Sequence, residues 1–76
     1  MKLHKGIYRH FKGKAYEVID FVTHSETEEE LVLYRPLYGN FDLWVRPKAI
    51  FNGVVAINGE KLPRFEFIKR SNDSNE

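Results

Sequence analysis

A chain of 76 residues with 12 Lys and Arg against 11 Asp and Glu has a formal charge of +1. This leaves room for one modest core and excludes a second domain, as well as recognition of a polyanion by bulk charge alone. With no cysteine there is no disulfide framework and no thiolate metal site, and the 14% of aromatic residues must supply the core.

The start Met1-Lys2-Leu3-His4-Lys5 lacks the apolar run of a signal peptide, and no segment is apolar for long enough to span a bilayer. A cytoplasmic protein with no membrane association is expected. Gly6 to Phe11 reads as a first strand or ordered arm, closed by a turn at Lys12-Gly13-Lys14. Ala15 to His24, with Tyr16, Val18, Ile19, Phe21 and Val22, reads as a long strand. Its apolar residues fall on two parities, which calls for a bulge near Asp20 or burial of both faces. Ser25 to Glu30 matches a capping box twice, yet Leu31-Val32-Leu33-Tyr34-Arg35-Pro36 runs β-branched and aromatic residues into a proline. A long helix is therefore rejected, the acidic cluster becomes a solvated loop, and Pro36 marks its strand as an edge or a bulged one.

Tyr34 to Pro47 surrounds a Gly39-Asn40 turn. A two-residue loop there sets Arg35 across from Trp44, Leu33 across from Arg46 and Leu37 across from Asp42 on one face. Tyr34, Pro36 and Tyr38 then oppose Val45, Leu43 and Phe41 on the other. A one-residue slip would reverse the faces. Arg46 to Phe51 has the form of a helical turn entered through proline and ended by Asn52-Gly53. Val54 to Ile57 and Leu62 to Ile68 read as strands joined through Asn58-Gly59-Glu60. The expectation is a mainly β protein, a small SH3-like barrel or rolled antiparallel sheet of about five strands with one short helical turn near 47–51. It occupies 1–70 as a single domain, with 71–76 a disordered polar tail.

The chain resembles the small bacterial family known as domain of unknown function 1653. The resemblance rests on Tyr8-Arg9-His10-Phe11-Lys12-Gly13, Tyr16, Val18, His24-Ser25-Glu26-Thr27, Tyr34-Arg35, Leu37-Tyr38-Gly39, Trp44-Val45-Arg46-Pro47, Phe51, Gly59 and Pro63-Arg64-Phe65. It implies a compact, mainly β, SH3-like barrel and carries almost no information about function. Ile50 stands where the family usually has methionine and Gly53 where it usually has glutamate, so no role is carried onto Gly53.

Arg35, Trp44 and Arg46 are the leading candidate ligand-binding residues. A guanidinium offers a rigid fork of donors to phosphate or carboxylate and stacks on an indole. The structural alternative is a cross-strand cation–π pair worth about 0.5–1 kcal/mol. Tyr38 and Arg64 are placed with this surface, Arg64 competing between a ligand and local ion pairs. His24-Ser25-Glu26-Thr27 carries hydrolase residue types, but adjacent residues of a strand point to opposite faces, so His24 is a candidate at the rim and Ser25 and Thr27 are turn residues. His4, His10 and His24 are not spaced as a zinc pair, and no metal or cofactor is expected.

These residues favour a non-enzymatic binding module for an anionic or planar partner, whether single-stranded nucleic acid, a nucleotide-like ligand or an acidic peptide. The alternatives are a structural or homodimerising module that buries the aromatic face, and a small hydrolase-like enzyme centred on His24.

Overall fold

The computed structural model describes residues 3–71. The strands β1 (Gly6–His10), β2 (Ala15–Thr23), β3 (Glu30–Pro36) and β4 (Trp44–Pro47) lead into a one-turn helix, α1 (Lys48–Phe51), followed by β5 (Val54–Ile57), β6 (Glu60–Pro63) and β7 (Phe65–Lys69). The main sheet is antiparallel with the order β4-β3-β2-β1-β7, and β5 and β6 form a separate two-stranded sheet. The fold is the expected mainly β rolled sheet with one short helix. It is not a closed barrel, because β4 and β7 share no ladder. The expected tail beyond Ser71 lies outside the described residues.

The mixed parity of β2 is resolved by a bulge. Pairing with β3 runs Val18↔Tyr34 and then Asp20↔Leu33, which leaves Ile19 unopposed. The extra residue brings Phe21, across from Val32, to the same face as Tyr16 and Val18. That face is the core side. Tyr8, Tyr16, Val18, Val32, Tyr34, Phe51 and Phe65 are buried there. Helix α1 has a single purpose in this packing: entered through Pro47 at φ −54°, it drops Phe51 onto the concave face. The Phe51 ring stacks on Phe65 at 4.0 Å with 2° between the planes and meets Tyr8 and Tyr34 edge-on at 5.4 and 5.3 Å. Burial of such a side chain contributes about 1.5–3 kcal/mol.

Two expectations are corrected. The Gly39-Asn40 turn exists, with Gly39 at φ +64° and Phe41 N–H donating to Tyr38 O at 3.3 Å, but it does not close a tight ladder. The β3–β4 register is Tyr34↔Trp44, Leu33↔Val45, Val32↔Arg46 and Leu31↔Pro47, one residue away from the expected pairing. Pro36 gives the reason. Leu37 N–H donates to Ala15 O of β2 at 3.0 Å, so by strand alternation the missing amide of Pro36 lies on the β4 side. The β3–β4 ladder stops at Tyr34, and residues 37–43 form a wider loop.

The final strand is also divided in two, giving seven strands. Arg64 N–H donates to Gly53 O, while Arg64 O accepts from Phe11 N–H, both at 3.0 Å. The chain thus leaves the small sheet and enters the large one at Arg64. Asn58 and Gly59, at φ +52° and +82°, supply the two left-handed residues of the tight turn between β5 and β6.

Candidate functional site

Strand alternation from Tyr34↔Trp44 and Val32↔Arg46 sends Trp44 and Arg46 toward the core side of the sheet. Arg46 Nε donates to Tyr34 Oη at 3.1 Å, and its guanidinium carbon lies 5.7 Å from the centroid of the Phe65 ring. Trp44, 41% exposed, sits edge-on to Tyr34 at 6.0 Å and 6.2 Å from the ring of Tyr16. From the same side, Tyr16 and Tyr38 join hydroxyls at 2.8 Å, and Lys14 Nζ lies 4.9 Å from the Tyr38 ring centroid.

His10 completes the cluster. Its ring meets Phe65 edge-on at 4.9 Å and lies 6.1 Å from Tyr16. His10 Nδ1 accepts the Lys12 N–H at 3.1 Å, so the neutral ring carries its proton on Nε2. Burial, then Arg46, Lys12 and Arg64, hold the His10 pKa below its ordinary value. Burial and the hydrogen bond with Tyr38 push the Tyr16 hydroxyl up to about 12. Arg64 Nε is buried without a hydrogen-bond partner.

The charges around these rings are unbalanced. Among the described residues, Lys5, Arg35 and Lys48 have carboxylates at 3.8, 3.2 and 3.3 Å from Asp20, Glu17 and Glu30. Lys12, Lys14, Arg46 and Arg64 have none within 4.0 Å, and neither do Arg9, Lys61, Lys69 and Arg70. The cluster is therefore a cationic rim around Tyr16, Tyr38 and Trp44, able to hold an anion and to stack a planar group.

Of the residues singled out in the sequence, Trp44, Tyr38 and Arg46 come to this rim, and Arg64 stands next to it as the residue before Phe65. Arg35 does not join them. It stands across from Glu17 on the other face of the sheet, with Nε and Nη2 both 3.2 Å from Glu17 Oε1. His24 organises its own loop, its Nδ1 accepting the N–H groups of Glu26 and Thr27 at 3.1 and 3.3 Å. No hydrogen bond joins it to Ser25. Lys12, Lys14, His10 and Tyr16 were missed as site residues, although a hairpin about Lys12-Gly13 places Lys14 across from His10, on the face that carries Tyr16.

A family model described as a protein of unknown function (DUF1653) matches residues 6–67. The chain belongs to the DUF1653 family. Among solved structures, it is similar to the crystal structure of a DUF1653 protein from Bordetella bronchiseptica, with 30% identity over 91% of each chain and a TM-score of 0.83. No curated protein matches the chain. The segment matching DUF1653 contains every residue of the rim, from His10 to Phe65.

Proposed function

We propose that this DUF1653 chain is a non-enzymatic, cytoplasmic binding module that takes an anionic partner bearing a planar group on the rim formed by Lys12, Lys14, Arg46, Arg64, Tyr38 and Trp44. One observation carries the reading: among the described residues no carboxylate lies within 4.0 Å of Lys12, Lys14, Arg46 or Arg64, and Lys14 and Arg46 hold their charges over the Tyr38 and Phe65 rings. Arg46, held against Phe65, keeps the donors other than Nε free for phosphate or carboxylate, and cations without a nearby carboxylate leave a local positive potential that favours an anionic ligand.

The test is a titration with inorganic tripolyphosphate followed by nuclear magnetic resonance. The expected result is a shift of the Nε–H signals of Arg46 and Arg64 and of the Trp44 indole N–H, with the Arg35 Nε–H unmoved behind Glu17. Shifts confined to Arg35, or none at all, would overturn the assignment.

A second reading, association with another copy of the chain, draws on apolar side chains left open at the β4 edge. Leu43 is 61% and Val45 55% exposed. Sedimentation analysis separates the two readings, because a dimer that buries Trp44 leaves no rim for a ligand.

A further inference from the structure

We infer that the ligand of this rim is a short stretch of single-stranded nucleic acid, with one base against Trp44 and Tyr38 and the adjoining phosphates on Lys12, Lys14, Arg46 and Arg64. The inference rests on the anion-binding reading above and adds the chemical class of the partner.

Three features point the same way. The aromatic side chains are half-open and not buried: Trp44 is 41% and Tyr38 37% exposed, while Tyr16 and Phe65 beneath them are closed to solvent. A platform with a sealed floor and open upper rings suits an unstacked planar group laid on it, the mode by which proteins without sequence preference hold single strands. Two of the cations stand on the aromatic cluster itself and two belong to the segments that lead into it. Lys14 lies over Tyr38 and Arg46 over Phe65, Lys12 Nζ is 5.8 Å from the centroid of the Phe11 ring, and Arg64 immediately precedes Phe65 in the chain. Phosphates that flank a stacked base fall in such positions, whereas an acidic peptide offers carboxylates without the planar group that the rings would take up.

Duplex is disfavoured by the architecture. A helix or a two-stranded ribbon is what enters a major groove. Here the single helix is one turn long with Phe51 pointing into the core, and the β5–β6 ribbon carries Lys61 beside Glu60 and so offers no excess of positive charge. A base paired within a duplex cannot reach the indole.

The experiment follows Trp44 fluorescence while the full chain is titrated with an oligothymidylate of about ten nucleotides, with the same sequence in a duplex, and with polyglutamate of equal charge. Quenching by the single strand is expected, with log K falling against log salt at a slope of about −3, since each of four phosphate contacts contributes about 0.7. Lys14→Gln and Arg64→Gln should each lower that slope by about 0.7. Lys14 is exposed, so its variant keeps the test valid if Arg64→Gln fails to fold. Polyglutamate or duplex binding as tight as the single strand would overturn the assignment to single-stranded nucleic acid and leave the anion-binding reading standing. If none of the three binds, the single-strand assignment falls, and the tripolyphosphate titration alone decides the anion-binding reading.

Discussion

The guanidinium of Arg46 lies 5.7 Å from the centre of the Phe65 ring, although the two residues belong to β4 and β7, the opposite edges of one five-stranded sheet. Four strand spacings in a flat sheet would separate them by about 19 Å. Their contact is therefore a measure of how far the sheet is rolled. It also explains why the rim forms: curvature gathers side chains from β1, β2, β4 and β7 that a flat sheet would spread apart.

Arg46 and Tyr34 are expected to be energetically coupled. Arg46→Met keeps much of the apolar stem over Phe65 and leaves the Tyr34 hydroxyl without its donor, and Tyr34→Phe leaves Arg46 Nε without its acceptor. Each single change should cost about 1–3 kcal/mol and the double change less than their sum. Denaturant melts of the two single variants and the double variant measure the difference.

Phe51→Ala removes the plug of the concave face and should cost about 3–5 kcal/mol, a large part of the stability of a domain this size. Thermal unfolding checks this, with a drop in melting temperature and loss of the near-ultraviolet signal of the aromatic cluster as the expected result.

Alkaline pH should act through Tyr16. The folded hydroxyl titrates at about 12 where the ordinary value is 10.0, mainly through burial and secondarily through Tyr38. Unfolded chain loses this proton first. The contribution is therefore full below pH 10 and lost as pH rises toward 12. Phenolate absorbance should show late titration that Tyr16→Phe removes in part, since burial also raises Tyr8. In Tyr38→Phe the Tyr16 hydroxyl should titrate earlier but still above 10.0.

His10 sets the acid side. Its folded pKa is lowered by burial and by Arg46, Lys12 and Arg64, so below the ordinary value of about 6.5 the unfolded chain binds more protons. Stability is full above that pH and declines as pH falls through the folded value. His10→Gln should flatten the melting temperature against pH over this window, and tripolyphosphate should offset the decline in the parent chain by pairing with the imidazolium.

Gly6 has no substitute. It adopts φ +146°, and a Cβ there would collide with the Lys69 carbonyl oxygen and approach Arg70 Cα at 2.9 Å. Gly6→Ala should cost about 1–3 kcal/mol or more and lower hydrogen-exchange protection in β7 before it does so in β3.

Much of this was legible in the sequence. The bulge of β2 follows from the parity of Tyr16, Val18, Ile19 and Phe21, and Asn58-Gly59 and the proline-led turn at Phe51 declare themselves by residue type. Trp44, Arg46, Tyr38 and Arg64 could be singled out for their chemistry. The exclusion of Arg35 and the meeting of β4 with β7 were not legible, for two reasons. A single proline decides where the β3–β4 ladder ends, and the one-residue difference exchanges Arg35 for Tyr34 opposite Trp44. Likewise, no local pattern states that β7 will curl back until Phe65 meets Arg46, because that contact depends on the summed twist and bending of five strands.

No main-chain ladder joins β4 to β7, and near this seam the Arg64 N–H to Gly53 O bond is the main-chain tie. Arg46 and Phe65 thus behave as a clasp, one that can release without melting any strand. An occupant of the rim would span both halves of the clasp and hold it shut. Occupancy should then be felt in the breathing of the whole roll, with slower exchange at β4 and β7 together, so that the state of the site is written into the stiffness of the fold.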